Sequence, residues 1–256
     1  MASRRVRNQK TAFLIVRMIL WGITGISSST PGGSLIRKSE IMILIILENG
    51  KENDMGVPVL IMGESGSGKT YSIKNFDPAE VGIFSVEKNR LPFKKDFKVC
   101  KNAGYAVIMK ALREPKLKSY VIDDSQYLLV NEFFDRAKEV GYQKFTDLAL
   151  NFRNLIHYIS REVPDDVIVY FLHHTELDAA GKVKAKTIGR MLDEKLTVEG
   201  CFDIVLLAQA DGSEHYFITQ SDGYTTAKSP EDMFDAVKTP NDLKAVDVAI
   251  RNYWGL

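Results

Sequence analysis

Eight consecutive residues, Gly63-Glu64-Ser65-Gly66-Ser67-Gly68-Lys69-Thr70, have the types and spacing that hold phosphate. Glycines lack a Cβ, so the backbone can curl until several N–H groups face one anion. A lysine after the last glycine can reach the β- and γ-phosphates of a nucleotide, and the hydroxyl that follows can ligate Mg²⁺. A short helix beginning near Lys69 would add its positive end. The expected cofactors are ATP and Mg²⁺. Gly63, Glu64, Ser65, Gly66, Ser67, Gly68, Lys69 and Thr70 would form the nucleotide cradle, with Thr70 also a metal ligand.

Four other residues could complete such a site. Asp123 closes an apolar run, Tyr120-Val121-Ile122, where an acid can hold the magnesium ion, usually through water. Asp124 is placed either to orient water or to cap the next helix. Glu87 ends the run Ile83-Phe84-Ser85-Val86, and His174 follows the run from Val167 to Leu172. Glu87 is a candidate base, with a solvated loop acid as its plain alternative. His174 is a candidate sensor of the γ-phosphate, or simply a satisfied strand-end histidine. No zinc-ligand spacing or Ser-His-Asp order competes with this constellation.

The elements that must position these groups follow from the apolar pattern. Val57 to Met62, Val81 to Val86, Tyr120 to Ile122, Val167 to Leu172 and Phe202 to Leu207 are short runs of the kind that form buried strands. His215 to Thr219 reads as an edge strand, with Asp222-Gly223 as a turn. Tyr105 to Leu112 reads as a helix, and two helices are expected after Asp124. In the second, Phe145, Leu148, Phe152, Leu155, Ile156 and Ile159 recur at helical spacing. A last helix begins at Asn241, its expected cap after Pro240. Alternating strands and helices predict an α/β fold, with a mainly parallel sheet covered by helices on both faces.

A chain of 256 residues with 45% hydrophobic and 26% charged content suits one such soluble domain plus appendages. Its net charge of +1 carries no polyanion-binding signature overall. Cys100 and Cys201 match no disulfide or metal pattern, which fits a reducing cytoplasm. Charge is uneven, however. Residues 1–54 hold eight Lys/Arg against four acids, and the remainder 26 against 29. Arg4-Arg5-Val6-Arg7, the apolar stretch Ala12 to Ile26 and three serines resemble a signal peptide. Arg17 interrupts the stretch, and no run reaches the roughly 20 apolar residues of a membrane span. A membrane partner is therefore not expected. Residues 1–54 are an atypical extension: a membrane anchor, an added helix and strand, or a segment foreign to the natural protein. The last reading is preferred, because Gly50-Lys51-Glu52 can be encoded by a ribosome-binding sequence two codons before Met55. The catalytic domain is then 55–256.

The segments GESGSGKT, IFSVEKNRLP, YVIDDSQYL, VYFLHHTE, KTIGRMLDEKLTVEGCFDIVL and HYFITQSDGYTTAKSP occur in one order from residue 57 onward. Together they resemble the RecA-like branch of P-loop NTPases, and more closely the phage-encoded "AAA family" ATPases. The resemblance implies a RecA-like fold and a role in phage DNA recombination or replication. It puts Glu87 at the position of a catalytic glutamate and His173-His174 at that of a polar pair reading γ-phosphate. Lys228 matches a late lysine that reaches a neighbouring subunit's nucleotide. The implied partners are single-stranded DNA and further copies of the chain in a homo-oligomer.

Lys182, Lys184 and Lys186, with Arg190 and Lys195 beyond, form the best candidate DNA contact, or an ordinary solvated hairpin face. Lys94, Lys95, Lys98 and Lys101 read as solvated surface. Two other functions stay open: a small-molecule kinase, and a slowly hydrolysing nucleotide-dependent scaffold.

Overall fold

The structure is a computed structural model and describes residues 55–189, 192 and 196–256. The expectations about residues 1–54, Arg190 and Lys195 lie outside the described residues.

Strand β1 (Val57–Gly63) is buried almost throughout and runs between β5 (Ile168–Leu177) and β7 (Ile204–Asp211), parallel to both. Beyond β5 lie β4 (Ser119–Asp123), β2 (Val81–Ser85) and β3 (Val99–Lys101), all parallel. On the other side, β8 (Glu214–Ile218) and β9 (Lys238–Pro240) add antiparallel strands. The sheet order is β3-β2-β4-β5-β1-β7-β8-β9. A small strand β6 (Val183–Ala185) folds back on the far end of β5.

Neighbouring residues of the central strands feed opposite cores, as the period of two requires. Leu60, Met62, Val169 and Phe171 face α1 (Tyr105–Arg113), α2 (Tyr127–Asp135) and α3 (Gln143–Glu162). Val59, Ile61, Tyr170 and Leu172 face α4 (Leu243–Trp254) and a short 3₁₀ helix, Thr70–Asn75. Helices thus cover both faces of a mostly parallel sheet. In α3, Leu148, Phe152, Leu155, Ile156 and Ile159 are all buried, which bears out the helical spacing.

Four expectations are corrected. The helix after the glycine-rich loop has only six residues and 3₁₀ geometry, because Phe76 leaves it for extended backbone just before Pro78. Such a stub supplies little helix dipole. β5 does not stop at Leu172 but runs through both histidines to Leu177, since its far end gains β6 as a partner. β8 is not an edge, because β9 covers it. Finally, α4 is capped by Asp242, whose Oδ1 accepts from the amides of Lys244 and Ala245. Gly255, at φ 71°, ends the helix as a left-handed cap. Among the described residues, no helix is long and apolar enough to cross a membrane.

Candidate functional site

From β1 the chain passes first toward β2, and its later elements build the other flank. The loop after β1 therefore opens at the carboxyl ends of the parallel strands where the order reverses, the usual ligand crevice of such sheets. The adjacent ends of β4 and β5 converge on it.

Gly66 and Gly68 hold φ of 83° and 92°, conformations that glycine adopts without Cβ strain. A Cβ on Gly68 would also lie 2.4 Å from Asn241 Nδ2. Ser67 N–H donates to the Glu64 carbonyl, closing the turn. Among the described residues, no backbone carbonyl accepts from the amides of Gly66, Gly68, Lys69 or Thr70. Amides left without partners in a concave loop suit an anion. Glu64 and Ser65 are exposed at the rim, and the Ser67 side chain is buried without a hydrogen bond.

Lys69 is buried, with Nζ donating to the carbonyls of Gly63 and Glu64 at 2.8 Å each. Burial lowers its pKa to about 8, against the pull of Asp124, Asp123 and Glu64. Thr70 Oγ1 donates to Asp123 Oδ1 at 2.9 Å, so the two expected metal-side residues do meet. Asp123 is buried, and burial with the neighbouring Asp124 charge pushes its pKa up to about 6. A buried carboxylate beside a hydroxyl, short of counter-charge, fits a divalent cation. Thr70 and Asp123 are thus the groups that would hold Mg²⁺.

Asp124 adopts φ 60°, a left-handed conformation that aspartate tolerates better than most residues. The turn lets Ser125 bond back to Leu172 of β5 and leaves the Asp124 carboxylate in the cleft. His174 Nε2 lies 3.3 Å from its Oδ1, and Asn89 donates to its Oδ2 at 2.9 Å. The His174 bond, with that from Asn89, holds the Asp124 carboxyl below its usual range despite burial. The cleft encloses 490 Å³ and is shared by Lys69, Thr70, Asp124, His174, Tyr71 and His215.

The two histidines part company, as alternate residues of a strand must. His173 is fully buried, donates from Nε2 to the Lys186 carbonyl and meets Ser125 Oγ with Nδ1. Burial drives its pKa down to about 4, so it is a neutral core residue. Glu87 stands apart from this cleft. Its carboxylate accepts from Asn131 on α2 and lines a neighbouring cleft with Tyr105 and Glu132. Lys228 also lies outside the cleft lining: it bridges Val205, which sits beside Leu60 in the middle of the sheet. Lys182 and Lys186 flank β6 and Lys184 lies within it, 3.5 Å from Glu176.

Sequence reasoning missed Asn89, His215 and Asn241. Asn241 Nδ2 donates to the Gly68 carbonyl at 3.0 Å, and His215 Nδ1 lies 3.2 Å from that of Ser67. Both brace the loop from more than a hundred residues away, so no local spacing could reveal them. No protein-family model matches the chain, and a search of curated proteins finds no significant relative.

Proposed function

We propose that the chain is a RecA-like, Mg²⁺-dependent ATPase of phage DNA recombination or replication. The observation that carries this reading is the meeting of Lys69, Thr70 and Asp123 at the end of a parallel strand, beneath unpaired loop amides. On binding, Lys69 exchanges two carbonyls for the β- and γ-phosphate oxygens, which are better partners for an ammonium group. Thr70 and Asp123 would hold the magnesium ion, whose charge would offset that of the phosphates. Asp124, oriented by His174 and Asn89, positions the attacking water; Glu87 could do so only after leaving Asn131.

Among the described residues lining the cleft, Lys69 is the only Lys or Arg. Phosphoryl transfer gains greatly from a second cation. That scarcity favours a cation supplied by another copy of the chain, with Lys228 as the candidate. It also speaks against a kinase with an arginine-lined lid. Single-stranded DNA would lie along the β5–β6 hairpin, where Lys182 and Lys186 flank the short strand.

ATP turnover measured with and without single-stranded DNA tests the reading. Stimulation in the native chain is expected, with both binding and turnover lost in Lys69→Ala. Nucleotide affinity unchanged in Lys69→Ala would remove the phosphate-site assignment. Turnover indifferent to DNA would favour the scaffold.

A further inference from the structure

His215 projects from β8 over the phosphate loop. A Cβ on Gly68 would come within 2.8 Å of its Nδ1, so ring and loop backbone are in direct contact. Nδ1 lies 3.2 Å from the Ser67 carbonyl oxygen. A carbonyl only accepts, so the neutral ring carries its proton on Nδ1 and a lone pair on Nε2. Among the described residues, no group donates to Nε2. The ring lines the cleft that also holds Lys69, Thr70, Tyr71 and Pro92.

An acceptor has nothing to offer a triphosphate, whose oxygens only accept. It suits the other half of the ligand. Tyr71, 39% exposed, and Pro92 give the same cleft apolar surface fit for a base. We propose that His215 is a specificity-determining residue, whose Nε2 accepts a hydrogen bond from a donor on the nucleoside half of the bound triphosphate. Two groups share that chemistry, a ribose hydroxyl and the exocyclic amine of adenine. The assignment rests on the nucleotide-binding reading above, and it adds a reason for the loop to be braced by a histidine in particular.

Calorimetric titration of the full chain separates the possibilities. The ligands are ATP, 2′-deoxy-ATP, 3′-deoxy-ATP and purine riboside triphosphate, which lacks the amine. One analogue should bind about fivefold more weakly than ATP, the ordinary worth of one hydrogen bond, and its missing group identifies the donor. His215→Asn keeps an amide N–H near the Nδ1 position but offers nothing at Nε2. It should bind ATP as weakly as that analogue, lose discrimination between the two, and bind inorganic tripolyphosphate as the native chain does. His215→Gln can place a carbonyl near the Nε2 position and should retain part of the discrimination. Equal binding of all four ligands by the native chain would overturn the proposal, as would undiminished discrimination in His215→Asn. Lys69→Ala distinguishes the failure of the wider reading: full ATP affinity in that variant would dismiss the nucleotide site itself, and the role of His215 with it.

Discussion

Asp123 is a carboxyl group that the fold buries. Its pKa is raised from 3.8 to about 6. The native state therefore holds a proton that the unfolded chain releases, and the sign follows. The stabilising contribution is fully present below about pH 4 and is lost as the pH rises through about 6. Relative to Asp123→Asn, the nucleotide-free protein should lose on the order of 3 kcal/mol of stability between pH 4 and 7. Thermal melts of both proteins across that range check this, and parallel curves would refute it. Mg²⁺-dependent ATP binding should run the other way, weakening as the pH falls through about 6, because only the carboxylate serves the metal. The same scale separates the two candidate acids. Asp124→Asn should slow hydrolysis ~10²-fold while preserving ATP affinity, the usual worth of a positioned base. Glu87→Gln should leave turnover within a few-fold. The opposite result in single-turnover kinetics would mean that Glu87 leaves Asn131 and enters the cleft when nucleotide binds.

At the scale of elements, the C-terminal segment decides how the glycine-rich loop is held. Asn241 bonds the loop at Gly68, Asp242 accepts from Asn75 at the end of the 3₁₀ stub, and Asp242 also caps α4. One helix start thus ties together residues far apart in the chain. At the other end of this contact, Asp247 is buried and accepts from Ser119, Tyr170 and Arg251. This cluster fixes α4 against β4 and β5. Removing the shared acceptor takes a partner from three donors, one of them charged. Asp247→Ala should cost roughly 3 kcal/mol of stability, read from urea denaturation. ATP affinity measured well below the midpoint should change little, because the cluster touches no residue of the cleft. A cost under 0.5 kcal/mol would show that water replaces the carboxylate. Sequence pattern placed a helix here at nearly the right residue, yet named Asn241 as its cap. Asn and Asp are equally good caps by type. Which of the two turns inward depends on the loop it meets, and that loop lies 173 residues back along the chain.

For the whole molecule, the scarcity of Lys and Arg among the described residues of the cleft is the property with most consequence. Among the described residues lining it, Lys69 is the only Lys or Arg, whereas phosphoryl transfer rewards a second side-chain cation. Lys228 bridges the edge of β7 and is half-buried beside Val205, away from its own cleft. If it serves a neighbour, Lys228→Ala should bind ATP normally yet turn over at least tenfold more slowly. Mixing it with Asp124→Asn should restore part of the activity, since each supplies what the other lacks across one interface. Specific activity independent of protein concentration, with no rescue on mixing, would make Lys228 an ordinary strand residue of a monomer.

Short-range chemistry makes much of this protein readable from its sequence. The glycine-rich loop draws its shape from glycines and a lysine within eight residues, and the apolar runs mark strands that are buried on both faces. Asp123 was legible because it ends such a run, and the helical face of α3 because six residues repeat its period. Tertiary structure alone decided the rest. It pairs Thr70 with Asp123 and sends His174 into the cleft while burying His173. Asp124 gains His174 and Asn89 as partners, whereas Glu87 turns to Asn131. It also brings His215 and Asn241 to the loop. The reason is physical: strand and turn formation are governed by neighbours in sequence, whereas a side chain's partner is set by which strand ends the sheet order places side by side.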